Sequence, residues 1–137
     1  MRTYLTSLVI AVALAVPAWG QEQVAKKKQK AKTPTAMQEV NAARARRGLP
    51  PYREDKKLTV AAERAAKYRA AHLMAGHTDS DFKFLPKGAF APAAGCEALD
   101  DSWGWATCCT YENWRYAGAA WVRGRDGKRY MHLYVRP

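Results

Sequence analysis

The chain has 137 residues, of which 23 are Lys or Arg and 12 are Asp or Glu, for a formal net charge of +11 at pH 7. That length holds one small core rather than several domains. No Gly-rich phosphate loop, Ser-His-Asp spacing, zinc-knuckle or CxxC pattern occurs, so the common motif-bearing nucleotide, hydrolase and redox classes have no support.

The first twenty residues, MRTYLTSLVIAVALAVPAWG, place Arg2 before an apolar run from Leu5 to Val16 and end on Ala18-Trp19-Gly20. This layout reads as a secretory signal peptide cut before Gln21, which predicts a secreted or periplasmic protein. The apolar run is shorter than the ~20 residues that a membrane span requires. Residues 21–35 carry five lysines and only small apolar side chains, a composition that predicts a disordered basic arm. Its charge suits an anionic surface, without any motif for a specific nucleic acid.

The folded domain is predicted over residues 36–137. A first helix follows Thr35 as cap, with Ala36, Met37, Val40 and Ala43 on one stripe and Gly48 as stop. Arg44, Arg46 and Arg47 near its end complement the helix dipole. The stretch LPPY then forces an extended turn anchored by Leu49 and Tyr52. A second helix runs from a cap at Asp55 to about Ala75, with Gly76 as stop. Its alanines share one face and predict a close approach to another element.

Residues 78–114 read as irregular, punctuated by Pro86, Gly88, Pro92 and Gly95, with Phe82, Phe84 and Phe90 as plugs. The last stretch, YAGAAWVRGRDGKRYMHLYV, predicts a hairpin turning at Asp126-Gly127. The expected class is α+β: two N-terminal helices packed on a small antiparallel sheet that ends in a hairpin.

Export favours a covalent staple in so small a domain, and three cysteines allow one disulfide with one thiol left over. Adjacent cysteines rarely bond to each other, so Cys96 is expected to pair with Cys108 or Cys109. Trp103, Trp105 and Trp114 belong to a dense aromatic group beside Arg115 and Arg123, suited either to a core or to a groove for sugar or peptide.

The stretch VNAARARRGLPPYREDKKLTVAAERAAKYRAAHLMAGHT resembles the opening of the CAP superfamily, the cysteine-rich secretory, antigen five and pathogenesis-related proteins. AGCEAL stands where that family has its Gly-Glu-Asn segment, and the hairpin resembles its last strand pair. The resemblance implies an α-β-α sandwich with a cleft of two His and two Glu that in some members holds a divalent metal, often zinc. His77 matches the first His and Glu97 the first Glu. The second pair has no counterpart: in DDSWGWATCCTYENWR, Glu112 is a candidate to replace the missing Glu but no His stands there, and His132 matches no family ligand. With the signal peptide and only half of that site present, the expectation is an exported, truncated CAP-like domain that acts as a noncatalytic binding or interaction module at the cell envelope or outside the cell, with His77 and Glu97 as the remnant of the family cleft. Its ligand would be a small molecule, lipid, peptide or cell-wall component. Two alternatives are a metal-dependent hydrolase that uses His77 and Glu97 with zinc, and a basic adhesion protein acting through residues 21–35.

Overall fold

The computed structural model describes residues 33–100, 105 and 108–137. The signal peptide, nearly all of the Lys-rich arm and Trp103 lie outside the described residues. Within them stand helices α1 (Ala36–Ala45) and α2 (Lys56–His72) and strands β1 (Arg53–Glu54), β2 (Ala93–Leu99), β3 (Tyr116–Arg123) and β4 (Arg129–Arg136). Short 3-10 turns cover Asp81–Phe84 and Cys108–Thr110. The class is α+β.

The strands form one sheet in the order β1-β3-β4-β2. β2 and β3 both run antiparallel to β4, whereas β1 runs parallel to β3. The sheet is therefore mixed, not antiparallel as expected. The cause is the Pro50-Pro51 turn, which delivers the chain extended at the sheet edge, where Arg53 N donates to Arg115 O at 3.0 Å and Asp55 N to Ala117 O at 2.8 Å. The helices are the first described elements rather than the N-terminal part of the chain, and they cover opposite faces of the sheet.

Thr35 and Gln38 close a reciprocal capping box that starts α1: Gln38 N donates to Thr35 Oγ1 at 3.2 Å and Thr35 N to Gln38 Oε1 at 2.8 Å. Met37, Val40 and Ala43 then meet Tyr52, Trp105 and Cys109, together with Ala117, Ala119, Met131, Leu133 and Val135 of the sheet. On the other face, α2 starts at Asp55, whose carboxylate accepts from Lys57 N at 2.9 Å and from Arg136 Nε at 2.9 Å. Leu58, Ala61, Ala62 and Ala65 pack against Ala120 and Tyr134.

Two local departures from expectation, together with the burial of β4, position the site. α2 ends at His72, and its terminator is Leu73 in the left-handed region at φ 54°, three residues before Gly76. The segment expected to be irregular contains β2, whose small residues show little period but pair with β4 over seven positions, Ala93↔Val135 to Leu99↔Arg129. β4 is buried on both faces because Met131, Leu133 and Val135 serve the α1 side while His132 and Tyr134 serve the α2 side.

The alanine stripe of α2 does allow the close approach. A Cβ built on Gly118 would stand 2.1 Å from Leu58 C and Thr59 N, so only glycine lets the helix backbone lie against β3. Gly118→Ala should therefore destabilise the fold by about 3 kcal/mol or more, since a rigid backbone must shift to admit one methyl group. Urea denaturation of the two proteins measures this, and a loss under about 1 kcal/mol would contradict so tight a contact.

Candidate functional site

The region around His77 is organised by a charged side chain with no access to solvent. Arg69, in the last turns of α2, is completely buried. Its Nε donates to Gly76 O at 2.9 Å and one terminal nitrogen donates to Ala75 O. The other terminal nitrogen donates to Met131 O at 2.5 Å and Glu97 O at 3.3 Å. One planar fork thus ties the chain after α2 to the backbones of β2 and β4. Burial pulls the guanidinium pKa down, and the nearby Cys96, Asp81 and Tyr130 oppose that shift. Capture of two successive carbonyls explains why the chain leaves the helix axis at Leu73 and folds back across the sheet.

This fold-back sets His77 at the surface over a buried acid. The His77 side chain is 55% exposed and that of Asp81 4%. His77 Nδ1 bonds to Asp81 Oδ2, while Asp81 Oδ1 accepts from Thr78 N at 2.8 Å and Thr78 Oγ1 at 2.6 Å. The Asp81 carbonyl in turn accepts from the Tyr134 hydroxyl. Burial alone would raise the Asp81 pKa, but the Thr78 and His77 hydrogen bonds outweigh it and hold the carboxyl below its ordinary range. An ionised Asp81 accepts from Nδ1–H, which leaves the lone pair on Nε2.

Two further groups lie beneath. Cys96 on β2 is partly buried, and a ring nitrogen of His77, a carboxylate oxygen of Asp81 and Cys96 Sγ all lie within 4.8 Å of one another. Directly across the sheet from Cys96, in register, is His132. His132 is fully buried, and neither of its ring nitrogens has a hydrogen-bond partner among the described residues. Each such unmet group costs about 1–3 kcal/mol. Burial pushes the His132 pKa down to about 3; Asp81 opposes this, and the charges of Arg69 and His77 add to it.

The residues expected from sequence divide across the sheet. Strand alternation puts Cys96 on the α2 side with Ala94 and His132, and Glu97 on the α1 side with Ala93 and Met131. His77, close to Cys96, and Glu97 thus lie toward opposite faces of the sheet at β2. Cys109 lies in the α1-side core, so the expected Cys96–Cys109 disulfide would have to pass through the sheet, and these two cysteines are not joined. The Cys108 side chain, the other expected partner, lies outside the described residues. Glu112 also stands on the α1 side, where its carbonyl accepts from Arg44 at 3.0 Å and its carboxylate from Trp114 Nε1 at 2.5 Å. It does not replace a carboxylate beside His77.

Trp105 is a core residue, 2% exposed, whose Nε1 donates to Glu39 at 3.2 Å. Trp114 is partly buried and lines a shallow groove with Pro50, Pro51, Arg53 and Arg115. Sequence reasoning gave Cys96 to a disulfide and matched His132 to no family ligand. The signal that finds them is the strand itself: once AAGCEAL is laid antiparallel to RYMHLYV, Cys96 and His132 face each other. Among the described residues no helix is long and apolar enough to cross a membrane. Compared with protein-family models, curated proteins and solved structures, the chain matches none.

The burial of a neutral His132 and an ionised Asp81 fixes the direction of the acid response. In the unfolded chain the imidazole takes up its proton near pH 6.5, whereas in the folded protein it does so only near pH 3. The unfolded state therefore binds more protons between those values, and stability is full above about pH 6.5 and falls as pH drops, by up to ~1.4 kcal/mol per pH unit. Asp81, whose pKa is depressed from 3.8, adds loss of the same sign below that value. Denaturation of the metal-free protein at pH 7.5, 6 and 5 checks this: the wild-type slope should flatten in His132→Gln, and an equal slope in both would show that His132 does not carry it.

Proposed function

We propose that this chain is an exported, noncatalytic binding module of CAP-like layout that acts at the cell envelope or outside the cell through the surface around His77. The layers α1, sheet and α2, with His77 after the second helix, support the CAP-like reading, as do the sequence motifs that open the domain. Export rests on the signal-peptide pattern of residues 1–20.

The observation that carries binding over turnover is the separation of His77 from Glu97 by the sheet. A hydrolase that used this pair would need both groups on one reacting atom. What is presented outward is one imidazole with a buried carboxylate behind it, flanked by side chains suited to adhesion. Leu73 is 36% exposed and Phe82 46%, unusually open for large apolar residues, and Lys83 is also exposed. Exposed apolar side chains with Lys83 near an anchored imidazole in the chain would suit an anionic amphiphile, the chemistry of envelope lipids.

Sedimentation of the mature protein with anionic phosphatidylglycerol vesicles tests this reading. Phe82→Ala should weaken association about tenfold, equivalent to about 1.4 kcal/mol, and His77→Ala should weaken it as well, with no lipid product released by the wild type. Retention that survives Phe82→Ala but disappears on deletion of residues 21–32 would move the function to the Lys-rich arm. Lipid cleavage that depends on His77 would restore the hydrolase.

A further inference from the structure

The cluster under His77 has a donor set unlike the one the family resemblance implies. The family pattern pairs His77 with Glu97, which the sheet prevents. In its place are the His77 imidazole, the Asp81 carboxylate and the Cys96 thiol, contributed by the turn after α2, the first residue of the 3-10 turn and the middle of β2. Three such groups within 4.8 Å are by themselves only a coincidence of side chains.

The second observation is His132. A fully buried imidazole almost always has at least one nitrogen engaged, yet both nitrogens of His132 lack a protein partner among the described residues. Its register opposite Cys96 aims it into the same face of the sheet, and Asp81 and His77 are near enough to act on its charge. A bound cation would engage a nitrogen that the protein leaves unmet.

We propose that His77, Asp81, Cys96 and His132 form a site for a borderline-soft divalent cation, with zinc the fitting ion. Two imidazoles, one thiolate and one carboxylate make four donors, the number and types that zinc takes in tetrahedral sites. Calcium and magnesium call for all-oxygen sets, and thiolate with imidazole disfavours them. At ordinary zinc bond lengths the donors lie about 3.5 Å apart, against the 4.8 Å within which the His77, Asp81 and Cys96 donors already lie; His132 joins them from its register position opposite Cys96. The thiolate and the carboxylate neutralise the ion's two charges. The adjacent Arg69 keeps its positive charge, and because the two anionic donors neutralise the ion, the repulsion between them is small. Ligation draws together the fold-back segment, β2 and β4, the three segments that Arg69 also joins. This inference names a ligand for the face assigned above to binding, and rests on that reading only for its biological setting.

Cobalt(II) titration of the reduced, full mature chain is the test, because tetrahedral thiolate ligation gives a sulfur-to-cobalt charge-transfer band and strong visible absorption that zinc then displaces. The expected result is saturation at one equivalent. Cys96→Ser should abolish the charge-transfer band, Cys109→Ser should retain it, and His132→Gln should weaken cobalt affinity at least tenfold with altered visible absorption. His77→Ala should weaken affinity similarly, with circular dichroism reporting whether the fold survives loss of the Asp81 hydrogen bond. The site is overturned by absence of one-equivalent uptake, by a charge-transfer band that persists in Cys96→Ser, by unchanged affinity in both histidine variants, or by mass mapping of a Cys96–Cys108 disulfide in the protein as exported. Vesicle association without cobalt uptake overturns the cation site alone, and cobalt uptake without vesicle association overturns the lipid reading alone.

Discussion

The buried guanidinium of Arg69 is the interaction on which the functional face depends. A cation removed from water is tolerable only when its donors are met, and here carbonyls of Ala75, Gly76, Glu97 and Met131 meet them. Because those carbonyls come from three separate segments, the arginine is also a positional device. It ends α2 early, turns the chain back over the sheet and so sets His77 above Cys96. Removing the head group would leave four carbonyls and a left-handed Leu73 without the contacts that justify them.

The opposite face repeats the solution with a different arginine. Arg44 is 1% exposed, donates from Nε to Pro50 O at 2.7 Å and from a terminal nitrogen to Thr110 O at 2.8 Å, and stacks 3.6 Å over the Tyr52 ring. Tyr52 in turn lies 2.7 Å from Cys109 O through its hydroxyl, and burial pushes its pKa up to about 12. The domain thus compensates for alanine-rich helices, which bury little side-chain area, by using charged forks to tie irregular backbone to each face of the sheet. Alanine and glycine at the α2–β3 contact bring the backbones close; the two arginines hold the connecting segments in place.

Sequence patterns disclosed the parts of this design that are local. Thr35 and Asp55 announced helix starts, Asp126-Gly127 announced the hairpin, and the alanine stripe announced a close approach, because each signal resides within a few residues of its effect. What stayed hidden is non-local. β2 consists of small residues with no clear alternation and becomes a strand only by pairing with β4, so its faces, and with them the separation of Cys96 from Glu97, were illegible without the partner. The same ignorance made a cross-sheet disulfide look natural. Arg44 read as a complement to the helix dipole, charged residues are seldom fully buried, and nothing in the neighbours of Arg44 or Arg69 names the distant carbonyls they serve.

The resulting face combines an exposed imidazole with groups whose burial is costly. Asp81 recovers its cost through Thr78 and His77, and Arg69 through four carbonyls, but neither ring nitrogen of His132 has a hydrogen-bond partner among the described residues. At the proposed cation site, stability and binding are therefore opposed in this one residue. An apolar side chain opposite Cys96 would serve the core better, as Ala94 and Tyr134 do at the adjacent register pair. An imidazole there lowers the stability of the empty domain and gains only from a ligand able to accept its lone pair. By linkage, such a ligand adds its binding free energy to the folded state alone. The energetic sense of a buried, unbonded histidine thus points outward from the core, toward whatever His77 meets at the surface.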